Sequence, residues 1–408
     1  MRLFKQTSVS NSIDYTSTVV IEDTTRWIIA SRNEWLFAVG TNQLEVSLDN
    51  GVTYPNTIAF ADAELIRTGY IFRNGNIIFE TSDNKIYLTD YNLGSVTEKT
   101  VYDTNGINTY KKHTPVNPIY PGAYYNVVDY MESTDDTDVY IFTNYSNAHT
   151  LGASPTNIYE TRDFGETIKV SYKFGQNLNH RDDGSATGSN TGTLLGDSAN
   201  SIVAKHGHSV GYNPNNGKYY VNTGDANVVF NSMDEIHWLE GVDNGTSIDW
   251  TVLNFGSSIE RTSRLKAVGF FFVDDYIYWV SDANPVTNDT QQGLWRSKLS
   301  TFTTTSTHER IIALTQYESA LSVKVDWNTN RVLINIADNS TGFYNKLLAA
   351  EDFGHGTVST KTYDSSYYFY RINSPNAFGF FRLDVGWDNV NQGRSFLIKV
   401  GDDLLENL

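Results

Sequence analysis

The chain has no cysteine in its 408 residues, so neither a disulfide nor a thiolate metal site can brace it. It has only 8 prolines, which leaves long stretches free to pair as strands without gaps in the hydrogen-bond ladder. Positive charge is short as well: 30 Lys and Arg stand against 47 Asp and Glu, a net charge of -17. That balance argues against binding a phosphate backbone, so nucleic acid is not an expected partner. No segment approaches the roughly 18 apolar residues of a membrane span, and residues 1–7 lack the apolar stretch of a signal peptide. Neither a membrane partner nor export through such a signal is expected. An extended apolar stripe of helical period is also missing. Residues 346–350 and 403–408 are each expected to form a helical turn and no more.

Aromatic residues, by contrast, are abundant at 13%, with 26 Tyr and 21 Phe. Aromatic and β-branched side chains suit half-buried pleated surfaces, and Asn and Gly supply turns. Pairs of apolar or alternating runs joined by short polar turns recur along the chain. The inner pairs are read at 27–30 with 35–39, 65–72 with 77–80, 125–131 with 139–143, and 206–212 with 218–223. They continue at 265–273 with 276–280, 321–327 with 331–336, and 367–372 with 378–385. The turn Asn74-Gly75 is a strong hairpin signal. In the second unit the outer strands are read at 85–88 and 96–102. About seven such units, alternatively six, fit one all-β domain over residues 1–408, a β-propeller of four-stranded blades. The N-terminal stretch, residues 1–22, has no partner of its own and is expected to complete the last blade, which removes two open sheet edges. Residues 104–122 and 176–200 read as long loop insertions.

One turn carries more than local information. Ser47-Leu48-Asp49-Asn50-Gly51-Val52-Thr53-Tyr54 lets Asp49 fold back on backbone N–H groups, while Gly51 supplies a positive φ. The order Ser47, Asp49, Gly51, Thr53, Tyr54 resembles the Asp-box (BNR repeat) of sialidase-like β-propellers, where it joins the two outer strands of a blade. Thr161-Arg162-Asp163-Phe164-Gly165-Glu166-Thr167 is a weaker echo, with Asp163, Gly165 and Thr167 in place. Ser232-Met233-Asp234 with Trp238 is a degenerate third. The resemblance implies a fold and no particular activity. A sialidase would bind its sugar carboxylate with three arginines, the first followed by Ile-Pro. None of Arg2, Arg26 and Arg32 is so followed, and sialidase activity is not expected.

The most pointed chemical constellation lies in the fourth unit. On an alternating strand His206 and His208 share a face, and Thr223-Gly224-Asp225 ends the neighbouring strand. Two imidazoles and the Asp225 carboxylate would suit zinc; a neutral His with Tyr212 as acid would suit a polysaccharide lyase. Alternatively His208 and Asp225 tie the inner strand to a neighbouring turn by hydrogen bonds. This segment is similar to His-x-His, Asp-Pro, Thr-Gly-Asp stretches in Asp-box propellers of phage and polysaccharide-active proteins, with Asn213 in place of the Asp. Acidic runs at 135–138 and 181–184 read as calcium loops or solvated turns. Tyr124, Tyr125, Tyr367 and Tyr368 are candidates for stacking on sugars. No cofactor is expected, zinc or calcium being the alternatives. The function expected is that of a bacteriophage tail protein (nozzle, fibre or adaptor) in the virion, binding other tail proteins in an oligomeric assembly or a host glycan. The alternative is a polysaccharide lyase or glycoside hydrolase.

Overall fold

The computed structural model describes residues 20–23, 26–32, 34–49, 51–63, 66–81, 85–102, 139–144, 155–176, 193–204, 206–224, 235–256, 263–282, 291–315, 317–338, 344–363, 369–372, 380–385 and 394–399. They form 28 strands in seven four-stranded sheets. β1 (Val20–Asp23) stands first. The first sheet follows, with β2 (Trp27–Arg32), β3 (Trp35–Gly40), β4 (Gln43–Ser47) and β5 (Asn56–Ala59). The second holds β6 (Ile66–Ile71), β7 (Asn76–Thr81), β8 (Ile86–Asp90) and β9 (Thr97–Lys99). The third joins β10 (Val101–Tyr102), β11 (Tyr140–Thr143), β12 (Asn157–Thr161) and β13 (Ile168–Lys173). The fourth comprises β14 (His206–Asn213), β15 (Lys218–Gly224), β16 (Trp238–Asp243) and β17 (Ile248–Val252). The fifth has β18 (Ala267–Val273), β19 (Tyr276–Ser281), β20 (Gly293–Lys298) and β21 (Glu309–Ala313). The sixth has β22 (Glu318–Asp326), β23 (Arg331–Asp338), β24 (Tyr344–Ala350) and β25 (Val358–Tyr363). The last sheet is β26 (Phe369–Ile372), β27 (Phe380–Val385) and β28 (Arg394–Lys399), with β1 antiparallel to β28 on its outer edge.

Consecutive sheets pack face to face, and β2 of the first touches β27 and β28 of the last. This closed radial repeat of antiparallel sheets is a β-propeller, and the N-terminal strand closes it. The cores lie between sheets. In β18 and β19, Phe270, Phe272, Ile277 and Trp279 face the fourth sheet, whereas Phe271, Tyr278 and Val280 face the sixth. Such strands are buried on both faces, which is why their sequences are continuous apolar runs. A side chain such as Trp279, with no exposed surface, contributes roughly 2–3 kcal/mol by its burial.

Three expectations need correction. Residues 346–350 are not a helical turn; they lie in β24, where Leu347 to Ala350 are buried and paired on both sides. Burial between two sheets overrides the helix preference of Leu and Ala. Residues 96–102 do not form one strand. Thr97–Lys99 stays on β8, whereas Val101–Tyr102 pairs in parallel with β13 and supplies the next sheet's outer edge. Trp238 opens β16, so the Ser232-to-Trp238 echo is not a turn between outer strands, and residues 232–234 lie outside the described residues. Residues 125–131, both acidic runs, Tyr124, Tyr367, Tyr368 and residues 104–122 and 403–408 also lie outside them. Of residues 176–200, the two ends are described. They are clipped together by a bridge between Gly175 and Asp197, and Asn200 donates to the Tyr172 hydroxyl at 2.9 Å.

Candidate functional site

In six of the seven sheets the innermost pair shifts register close to the start of its first strand. Each shift is a β-bulge, in which one inner residue goes unpaired and the strand bends. The skipped residues are Ile29, Arg67, His208, Val268, Leu321 and Tyr370. His208 is therefore the fourth sheet's version of a repeated irregularity. The bulge re-aims its ring, and the result is a direct imidazole pair. The His206 and His208 rings stack with centroids 4.9 Å apart and planes at 14°, and their Nε2 atoms lie 2.9 Å from one another. One Nε2 must donate and the other accept, so the contact holds at most one proton between them.

Space around the pair is tightly defined. His206 and His208 are 1% and 4% exposed. A Cβ on Gly224, opposite His206, would sit 1.9 Å from His208 Nε2. The carbonyl of Asn144 in the third sheet accepts from the Gly207 N–H at 3.0 Å. On the other side the Asn222 amide donates to the carbonyls of His237 and Leu265, and its Oδ1 accepts from the Ala267 N–H of the fifth sheet. Thr223 Oγ1 donates to the Glu235 carbonyl and accepts from the His237 N–H. The constellation is a polar stitch joining three sheets.

Tyr212 does not belong to it. Four residues along β14 from His208, about 13 Å in extended chain, it packs at a centroid distance of 4.9 Å on Tyr219 within the core between the third and fourth sheets. Asn213, beyond it, folds its Oδ1 onto the Asn215 N–H and so caps the hairpin turn. Asp225 lies outside the described residues. Among the described residues no three His, Asp or Glu side chains are grouped to hold a metal ion, and no helix is long and apolar enough to cross a membrane.

The two Ser/Thr-x-Asp-x-Gly-x-Thr turns are chemically alike. Asp49 takes the Thr53 N–H at 2.8 Å and the Thr53 hydroxyl at 2.7 Å, and Asp163 takes the same two groups of Thr167 at the same lengths. Ser47 Oγ accepts from the Gly51 N–H and donates to Asp49; Thr161 Oγ1 does both for Gly165 and Asp163. Gly51 and Gly165 have φ of 86° and 87°, the positive region the turn requires. The Thr53 and Ser47 bonds hold the Asp49 carboxyl below its ordinary range. Tyr54 lies under the Arg26 guanidinium, 4.3 Å from its centroid. Both turns link strands away from the histidine pair. A third relative escaped the sequence reading: Asp352-Phe353-Gly354 turns β24 into β25 with φ positive at all three residues. Its signal was the Asp-Phe-Gly shared with residues 163–165, masked by an additional Gly356 before Thr357.

No protein-family model matches the chain, and no curated protein is similar to it in sequence. Solved structures resemble it in fold. One is YCF48 bound to D1 peptide, at 15% identity and a TM-score of 0.47, covering 95% of this chain and 99% of that one. YCF48 from Cyanidioschyzon merolae gives 12% and 0.48, covering 93% and 98%. A quinoprotein alcohol dehydrogenase-like protein from Bacteroides thetaiotaomicron gives 12% and 0.44, covering 84% and 66%.

Proposed function

We propose that this chain is an interaction propeller without catalysis of its own: a structural, receptor-facing component of a bacteriophage tail (nozzle, fibre or adaptor), made in the host cytoplasm. It would act by binding neighbouring tail proteins in an oligomeric assembly, or a host-surface glycan, and the reading invokes no cofactor. The observation that carries the non-catalytic part is the use of His206 and His208 inside the fold, where they are shut from solvent and bonded to one another. The virion assignment is supported by the resemblance of the Ser47–Tyr54 turn and of segment 206–225 to Asp-box propellers of phages. Cysteine-free, Tyr-rich composition and net charge of -17 agree with a soluble particle component.

Mass spectrometry of purified virions tests it. The chain should be present at a fixed copy number, and particles carrying His208→Gln should contain it undiminished. Absence from particles would sink the assignment. Turnover of an acidic polysaccharide by the wild type that His208→Gln abolishes would instead establish a lyase or glycosidase.

A further inference from the structure

Arg264 sits in the short turn Ser263–Leu265 that leads into β18. Its carbonyl accepts from the Trp279 indole N–H at 2.6 Å, which fixes the turn against the sheet. Its guanidinium lies over Trp295 of β20, 5.3 Å from the ring centroid. Arg310 is paired with Trp295 in the β20–β21 register, and its guanidinium lies 5.8 Å from the same centroid. Residues paired across two strands share a face of the sheet, so two cations converge on one indole.

Stacking satisfies the ring face and leaves the N–H donors of Arg264 unanswered. Its Nε is shut from solvent without an acceptor, and the guanidinium has no ion pair among the described residues. The two Nη groups keep access to solvent and bond to no described residue. Two acids of the same region are already engaged: Asp282 holds Lys266 at 3.0 Å and Glu309 holds Arg296 at 2.8 Å. Among the described residues no carboxylate pairs with it. A half-buried guanidinium left without an anion is a standing cost to the fold. The uncompensated charge is felt nearby, since burial and Arg264 together pull His308 down to about 4.

We propose that Arg264, Trp295 and Arg310 form a binding site for a small ligand carrying a single carboxylate on an otherwise uncharged body. The outward Nη edge of the Arg264 guanidinium matches a planar carboxylate with two parallel bonds. A net charge of -17 disfavours polyanions, so one isolated carboxylate meets the least repulsion. The site lies apart from the histidine stitch and does not depend on the virion assignment.

Sodium glucuronate is the probe, titrated calorimetrically and by thermal melting at constant ionic strength, beside glucose, inorganic phosphate and polyglutamate. Wild type should bind glucuronate saturably and melt higher with it. Arg264→Met should weaken binding at least tenfold, yet melt above wild type in ligand-free buffer, because the orphaned charge is gone. Arg264→Lys, which keeps the charge and loses the planar edge, gives the same weakening should the Met variant not fold. Equal binding of glucose, tighter binding of phosphate or polyglutamate, no saturable glucuronate binding, or unchanged binding in the Arg264 variants would each overturn the proposal.

Discussion

The fourth and fifth sheets bury polar groups in neighbouring positions and to opposite ends. In the fourth, His206 and His208 bond to one another, and Asn222 and Thr223 bond to backbone groups of their own and the fifth sheet. In the fifth, Arg264 stacks on Trp295 and leaves its donors open. Polar side chains bonded to the backbone of flanking strands hold those strands in place. A charge with no partner lowers stability for nothing within the chain, and that is the stronger pointer to a ligand.

The largest effect is expected at Gly224. Adding one methyl group there forces the His208 ring from its place against His206, so Gly224→Ala should lose about 3 kcal/mol or more of stability. Chemical denaturation reads the loss directly. An unchanged midpoint would mean that the pair is loosely held and has room to work as a site.

The fold was legible because its signal repeats. Apolar runs at 267–273 and 276–281, short polar turns and the Asn74-Gly75 hairpin recur at propeller spacing, and the lone early strand had to close something. Where a single window was read alone, it misled: residues 346–350 look helical until a sheet packs on each face. The handover at Thr100, where one strand ends and the next sheet's edge begins, depends on pairing partners far away in sequence. At the site, His206 and His208 do meet, but through a bulge at His208 and not through the regular alternation that the spacing assumes. The spacing also attached Tyr212, because a pattern along one strand says nothing of the strand's length in space. Arg264 had no sequence signal, since its meaning lies in the partner it lacks.

Protonation of His308 sharpens the contrast between the two sheets. Its Nε2 bonds to the Phe302 carbonyl at 2.7 Å, and its ring packs on Trp279 and Phe302. Burial is the main cause that lowers it from 6.5 to about 4, with Arg264 adding repulsion. The unfolded chain therefore takes a proton between pH 6.5 and 4 that the folded chain refuses. Stability rises with pH through this window, and is lost as the medium is acidified from 6.5 toward 4. Allowing for partial solvent screening, the loss is about 2 kcal/mol. His308→Phe should flatten that limb of the stability profile, measured as denaturation midpoint against pH. A variant as acid-sensitive as wild type across the window would remove His308 from the account.

The smallest expected effect separates the two Asp-bearing turns. Their hydrogen bonds match, but their surroundings differ. The Phe164 ring lies 6.1 Å from both Phe72 and Tyr140, and its carbonyl accepts from the Asn76 amide of the second sheet at 3.1 Å. In the first turn Asn50 stands where the second has Phe164, so no ring is offered there to a neighbouring sheet. Asp49→Ala should therefore lower the melting temperature by about 1–2 °C, and Asp163→Ala by about twice that, because the second turn also positions an inter-sheet wedge. Equal shifts would mean that Phe164 holds its place without the carboxylate, and that the turns are equivalent in energy as well as in geometry.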